Sequence, residues 1–217
     1  MKILMLIYPG MTPLDFLGPL QVWSQWPEAE IQVVWQDHEV VPTDTVAGIM
    51  PSHSFDNCFS DPDILFVPGG GLPTLELMEN QTVLSFLKDK AQNAQWVTSV
   101  CTGSLVLAAA GLLEGKRATT HWAALDALKT MGVEVEKARY VIDDGVASGG
   151  GVTAGIDFGL ALLENLAGRD VAEAVQLALE YNPQAPFCSG TPEQARPEIV
   201  DAVLNRYLSV SQGLQSG

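Results

Sequence analysis

Short apolar runs that stop abruptly at glycine, proline or a small residue are what most constrain this chain. Ile3–Tyr8 closes on Pro9-Gly10, Ile64–Val67 on Pro68-Gly69-Gly70-Gly71, and Trp96–Val100 runs into Cys101-Thr102-Gly103. Runs of that length without polar alternation read as strands buried on both faces, as in a parallel sheet covered by crossover helices. Ile31–Trp35, apolar but for Gln32, is a further strand candidate. Helical patterns separate them. Leu14 to Trp26 is one, with the helix proper starting near Gly18-Pro19 because proline is tolerated in a first turn. Others cover about 74–92, Thr102 to Ala110, His121–Met131, Val152–Leu166 and Asp170–Tyr181, with Pro197–Leu208 as a closing helix. Short strands are expected near 133–136, 139–142 and 146–148, and strand-like pieces between 39 and 60 are broken by Pro42, Gly48 and Pro51. Pro183, Pro186 and Pro192 make 182–195 irregular. With no repeat or linker, the pattern predicts one α/β domain over residues 1–217, a mostly parallel central sheet flanked by helices on both faces.

Charge and cysteine usage narrow the function. Among 217 residues, 26 are acidic and 11 basic, giving a net charge of −15. No Lys/Arg cluster appears, so neither a nucleic acid nor a membrane surface is expected as a partner. Cys58, Cys101 and Cys188 are too few and too widely spaced for a disulfide framework or a tetrahedral zinc site, and free thiols fit a reducing compartment. The first apolar run is too short for a signal sequence and no stretch is long enough to span a bilayer, so a cytoplasmic location is expected. Gly69–Gly71 and Gly149–Gly151 match no nucleotide-binding pattern and have no lysine or arginine beside them. No cofactor and no metal are expected.

Chemistry concentrates at Ser99-Val100-Cys101-Thr102-Gly103. A strand passes straight into a helix with a nucleophilic residue at the join. Small residues two before and two after are what so tight a turn requires. A helix N-terminus favours thiolate over thiol at Cys101; the competing reading is a buried structural cysteine. Asp15, in Leu14-Asp15-Phe16-Leu17, is a lone carboxylate in an apolar run just past the first strand. It reads either as a helix N-cap or as a carboxyl whose raised pKa lets it shuttle a proton. The free N–H groups of Gly70 and Gly71 would serve an anionic intermediate. No histidine follows Cys101, and His121 reads as a capping or packing residue or as a base. His38 and His53 carry no signal, and Cys58 and Cys188 read as structural.

Taken together, Asp15, Pro68-Gly69-Gly70, the Cys101 elbow and Arg117-Ala118-Thr119-Thr120-His121-Trp122 resemble the DJ-1/PfpI superfamily, also described as class I glutamine amidotransferase-like. Within it, Val97–Leu107, Gly149–Phe158 and Leu179-Glu180-Tyr181 with Pro183 and Pro186-Phe187 resemble the isocyanide hydratases. Asp rather than Glu at position 15 and Cys101-Thr102 rather than Cys-His favour that group. The resemblance implies a flavodoxin-like fold and a cofactor-free, homodimeric lyase that hydrates a small-molecule isocyanide to an N-substituted formamide. It further implies Cys101 as nucleophile, Asp15 as the carboxyl beside it, Thr102 as a residue tuning reactivity, and displacement of the helix after Gly149–Gly151 when Cys101 is modified. Two other readings remain. One is a redox-sensing relative in which Cys101 is oxidised. The other is the sensing domain of a transcriptional regulator, in which a helix-turn-helix would follow; with about twenty residues after Pro197 and a net charge of −15, it is not the expected reading.

Overall fold

The structure, a computed structural model, describes residues 1–214. It divides into two units, Met1–Glu180 and Tyr181–Gly217. In the first, seven strands form one sheet: β1 (Lys2–Leu6), β2 (Glu30–Trp35), β5 (His53–Ser54), β6 (Ile64–Val67), β7 (Trp96–Val100), β10 (Tyr140–Asp143) and β11 (Val146–Gly149). Their order is β10-β11-β7-β6-β1-β2-β5, parallel throughout except for β10 against β11. Two small two-stranded sheets stand outside it, β3 (Val41–Pro42) with β4 (Gly48–Ile49) and β8 (Arg117–Ala118) with β9 (Glu134–Val135).

The unbroken apolar runs are explained by burial. Ile3 to Leu6 and Ile64 to Val67 lie inside the core, since β1 and β6 are central strands with both faces covered. Helix α1 (Pro13–Trp23) and helix α6 (Ala154–Ala167) pack on each other over one face. There Trp23 meets the edges of Phe66 and Phe158, with ring centroids 5.6 and 5.7 Å apart, and donates its indole N–H to the Gly159 carbonyl at 3.2 Å. Because alternate strand residues point to opposite faces, the neighbours of Phe66 face the other layer, α2 (Pro73–Glu79), α3 (Gln81–Ala91) and α4 (Gly103–Ala109). Helices α5 (Leu125–Thr130) and α7 (Arg169–Ala178) complete this unit.

Three helices differ from the sequence reading, each for a local reason. Helix α1 begins at Pro13, not near Gly18, and carries Gly18-Pro19 inside it. Those residues lie on the packed face: a Cβ at Gly18 would stand 3.4 Å from Ile156, and one at Gly155 3.0 Å from the Pro19 ring. Close packing on α6 thus holds the helix across the hydrogen bond that proline removes. The stretch 74–92 is two helices, because Asn80 is extended and caps α3 by accepting the Val83 N–H at 3.1 Å. Residues 121–131 start as a 3-10 turn, Trp122–Ala124, before α5.

The second unit is irregular up to the start of α8 (Pro197–Leu214), a helix that runs past the expected end at Leu208. Among the described residues no helix is long and apolar enough to cross a membrane.

Candidate active site

The strand order reverses at β1: the chain leaves it toward β2 on one side and later returns to β6 and β7 on the other. Open α/β sheets bind ligands in the crevice at the carboxyl ends of the strands flanking such a point. Here those ends carry Tyr8 after β1, Pro68-Gly69-Gly70 after β6, Cys101 after β7, and Gly150-Gly151 after β11.

Cys101 occupies the tight turn that its neighbours implied. Its φ is +57°, a left-handed conformation that costs a non-glycine residue about 1–2 kcal/mol. Hydrogen bonds on every side hold it there. The Cys101 N–H is shared between the carbonyls of Gly149 (3.0 Å) and Gly150 (2.8 Å). Its carbonyl accepts from Ser104 Oγ at 3.2 Å and Thr120 Oγ1 at 2.9 Å. The need for glycine at 103 is steric: a Cβ there would collide with the Val67 carbonyl oxygen and stand 2.8 Å from that of Pro68.

Asp15 lies in the first turn of α1, and the N-cap position belongs to Thr12, so capping is not what its side chain does. The carboxyl is fully buried, and Oδ2 accepts the Gly69 N–H at 3.1 Å. The bond therefore crosses the switch point, from the helix after β1 to the loop after β6. Oδ1 has no partner at hydrogen-bond geometry among the described residues, although the Cys101 thiol interacts with the same carboxyl.

Electrostatics make these two groups a pair. Burial raises the Asp15 carboxyl from 3.8 to about 7, against the opposing pull of Cys101 and the Gly69 N–H. Burial, followed by the charge of Asp15, pushes the Cys101 thiol well above its ordinary value. The N–H groups of Thr102 and Val152 face the sulfur and lower it, as a helix N-terminus should. They do not win, so the expected depressed thiol pKa is not what this environment produces. Two neighbouring acids that interact this strongly titrate together, and near neutrality the pair keeps at least one proton.

The other sequence-predicted residues are placed as follows. Thr102 follows Cys101, and its Oγ1 accepts the Gly70 N–H at 3.1 Å. Gly70 is thus in the site, but its N–H is already committed. Gly71, at φ +55°, has open space where a Cβ would stand. His121 lies across Gly151, where a Cβ would come within 2.8 Å of its ring, and its Nδ1 accepts the Ala123 N–H at 3.3 Å. It caps the turn 122–124, and burial lowers its pKa. Cys58 is half-buried with its thiol toward the Phe55 carbonyl, and Cys188 is exposed in the second unit. Sequence reasoning missed the Val152 N–H, a backbone group with no residue signature. It also missed Tyr8 and Thr74, whose hydroxyls are 3.1 Å apart behind Thr102. The one available signal was a polar residue closing the apolar run Ile3–Tyr8. Among the described residues no group of three or more His, Cys, Asp or Glu side chains is gathered to hold a metal ion.

The DJ-1/PfpI family model matches residues 1–165, most of the chain. The chain belongs to the DJ-1/PfpI family. It is 46% identical to isonitrile hydratase of Pseudomonas putida over 201 residues, covering 93% of this chain and 87% of that one. A crystal structure of a ThiJ/PfpI family protein from Pseudomonas syringae superposes with a TM-score of 0.93 at 39% identity, covering 96% of this chain and 86% of that one. The HTH-type transcriptional regulator CdhR of Pseudomonas aeruginosa is 35% identical over 115 residues, about half of this chain (52%) and a third of that one (34%). This DJ-1/PfpI protein is therefore similar over nearly its whole length to a hydratase and over a shorter span to a regulator.

Proposed function

We propose that this protein is a cofactor-independent lyase that hydrates isocyanides to N-substituted formamides, with Cys101 as nucleophile and Asp15 as general acid and base. The observation that carries the reading is the buried Cys101–Asp15 pair, with the carboxyl held near 7 and threonine rather than histidine following the cysteine in sequence. An isocyanide carbon must gain a nucleophile and a proton at the same atom, so an acid beside a thiol suits it. In the reactive tautomer the thiolate faces the Thr102 and Val152 N–H groups and Asp15 holds the proton. Sulfur attacks the terminal carbon while Asp15 delivers its proton there, giving the thioimidate R–N=CH–S–Cys101 and an Asp15 carboxylate. Water then attacks the same carbon, loses a proton to Asp15, and that proton passes to nitrogen. Collapse of R–NH–CH(OH)–S–Cys101 returns the hydroxyl proton to Asp15, expels the thiolate and releases R–NH–CHO. Protons and electrons balance with water as the only co-reactant.

In this reading Thr102 supplies its backbone N–H to the sulfur, Gly70 and Gly71 shape the loop opposite it, and the Gly71 N–H is the donor available to the hydrated adduct. The protein acts as a cytoplasmic homodimer with a single 1–217 domain, taking a small molecule rather than a nucleic acid or membrane as partner. A redox-sensing reading is favoured less, because redox-sensor cysteines are solvent-accessible and Cys101 is buried. The test is direct. Protein mixed with cyclohexyl isocyanide at pH 7 is expected to yield the formamide catalytically, and absence of turnover would remove the hydratase reading.

A further inference from the structure

A buried chain of hydroxyls runs behind the candidate nucleophile. Tyr8, 1% exposed, donates to the Pro68 carbonyl at 3.2 Å and shares a hydrogen bond of 3.1 Å with Thr74. Thr74, fully buried in α2, is 2.8 Å from Thr102 Oγ1, which also accepts the Gly70 N–H. The direction of every proton follows. A carbonyl can only accept, so the single Tyr8 proton goes to Pro68 and Tyr8 oxygen must accept from Thr74. Thr74, its proton used, must accept from Thr102. The Thr102 hydroxyl therefore has no proton to give to a molecule bound at Cys101.

The chain ties down the loop that serves both acids. Pro68, Gly69 and Gly70 place three consecutive backbone groups on Tyr8, Asp15 and Thr102. The loop is pressed against them: a Cβ at Gly69 would lie 2.6 Å from Thr102 N and 2.7 Å from Asp15 Oδ2, and one at Gly70 2.9 Å from the Tyr8 hydroxyl. We propose that Tyr8 and Thr74 are positioning residues for the Cys101–Asp15 pair, holding the Pro68–Gly70 loop and Thr102 so that the Gly69 N–H meets Asp15 and the Thr102 N–H meets the sulfur. The proposal deepens the hydratase reading and, for its kinetic arm, rests on it. Tyr8 stays protonated, since burial raises its phenol further, and so acts as a fixed donor rather than a base. The other titratable group whose charge bears on Asp15 is Asp44, on the turn between β3 and β4, whose carboxylate accepts from Thr12 Oγ1 at 2.6 Å.

Each N–H that the chain positions lowers the pKa of the group it faces. Loosening them moves both acids upward. The test measures iodoacetamide alkylation of Cys101 against pH in a Cys58→Ser, Cys188→Ser background, with folding followed by circular dichroism. Thr74→Val, which keeps shape and removes the hydroxyl, is expected to shift the alkylation midpoint up by about one pH unit. Tyr8→Phe is expected to shift it in the same direction, and Thr74→Ser to restore the parent profile. For isocyanide hydration, Thr74→Val is expected to lower kcat by about 10²-fold, the effect of a slight misplacement of reacting groups, with KM little changed. Folded Thr74→Val and Tyr8→Phe proteins with the parent alkylation profile would overturn the proposal. A shifted profile in a protein that hydrates no isocyanide would uphold the positioning role and overturn the hydratase reading instead.

Discussion

Replacing Asp15 with asparagine separates what the carboxyl does for chemistry from what it does to stability. The folded protein holds this carboxyl near 7, against 3.8 for an ordinary aspartate. The folded state therefore binds the Asp15 proton more tightly than the unfolded state does, and deprotonation opposes folding. The stabilising contribution is complete below the unfolded pKa and is lost as pH rises through the folded one. Each pH unit between those two values is worth about 1.4 kcal/mol, so native stability loses about 4 kcal/mol at this site between pH 4 and pH 8, most of it before pH 7. Asparagine keeps an oxygen for the Gly69 N–H and has no proton to lose. Urea unfolding of the native and Asp15→Asn proteins across pH 4.5–8 is the assay. The variant's stability should rise relative to native by several kcal/mol toward pH 8, while isocyanide hydration falls by about 10²–10⁴-fold. Parallel stability curves would refute the raised carboxyl pKa, and undiminished activity would refute its role as a proton carrier.

Two further outcomes follow from the same geometry. Cys101→Ala is expected to abolish hydration, whereas Cys58→Ala and Cys188→Ala should stay within a few-fold of native, as measured by formamide formation. Where Cys101 is thiolate, the Val152 N–H faces its charge, and alkylation removes that charge, weakening a charge-assisted contact by about 1–3 kcal/mol. Amide hydrogen exchange should then quicken over 150–156 and the first turn of α6, and unchanged protection there would sever the coupling between cysteine and helix.

Much of this site was legible because its signals are local. The strand–Cys101–helix turn announces itself through Ser99 and Gly103, and the collision of a Cβ at 103 with the Val67 carbonyl is the reason the pattern is informative. Asp15 stood out as one carboxylate in an apolar run, but its partner could not be read, because the Gly69 N–H lies 54 residues away across the switch point. The same distance problem hid the hydroxyl chain, whose members Tyr8 and Thr74 are 66 residues apart. Helix α1 was mis-started for a related reason. Gly18-Pro19 is a local stop signal, and only packing against Gly155 and Ile156 of α6 shows why the helix continues. The thiol pKa was misjudged because the helix N-terminus is visible in sequence, while the burial that outweighs it belongs to the folded core.

In the proposed reaction Cys101 carries the isocyanide carbon as a covalent thioimidate during turnover. Rapid quenching of the protein with excess cyclohexyl isocyanide, followed by peptide mass analysis, looks for that adduct. The Cys101 peptide is expected to gain the full mass of the isocyanide, with nothing lost, in a species that rises and decays fast enough to account for formamide production. Formamide formed at the native rate with no adduct on Cys101 would contradict it.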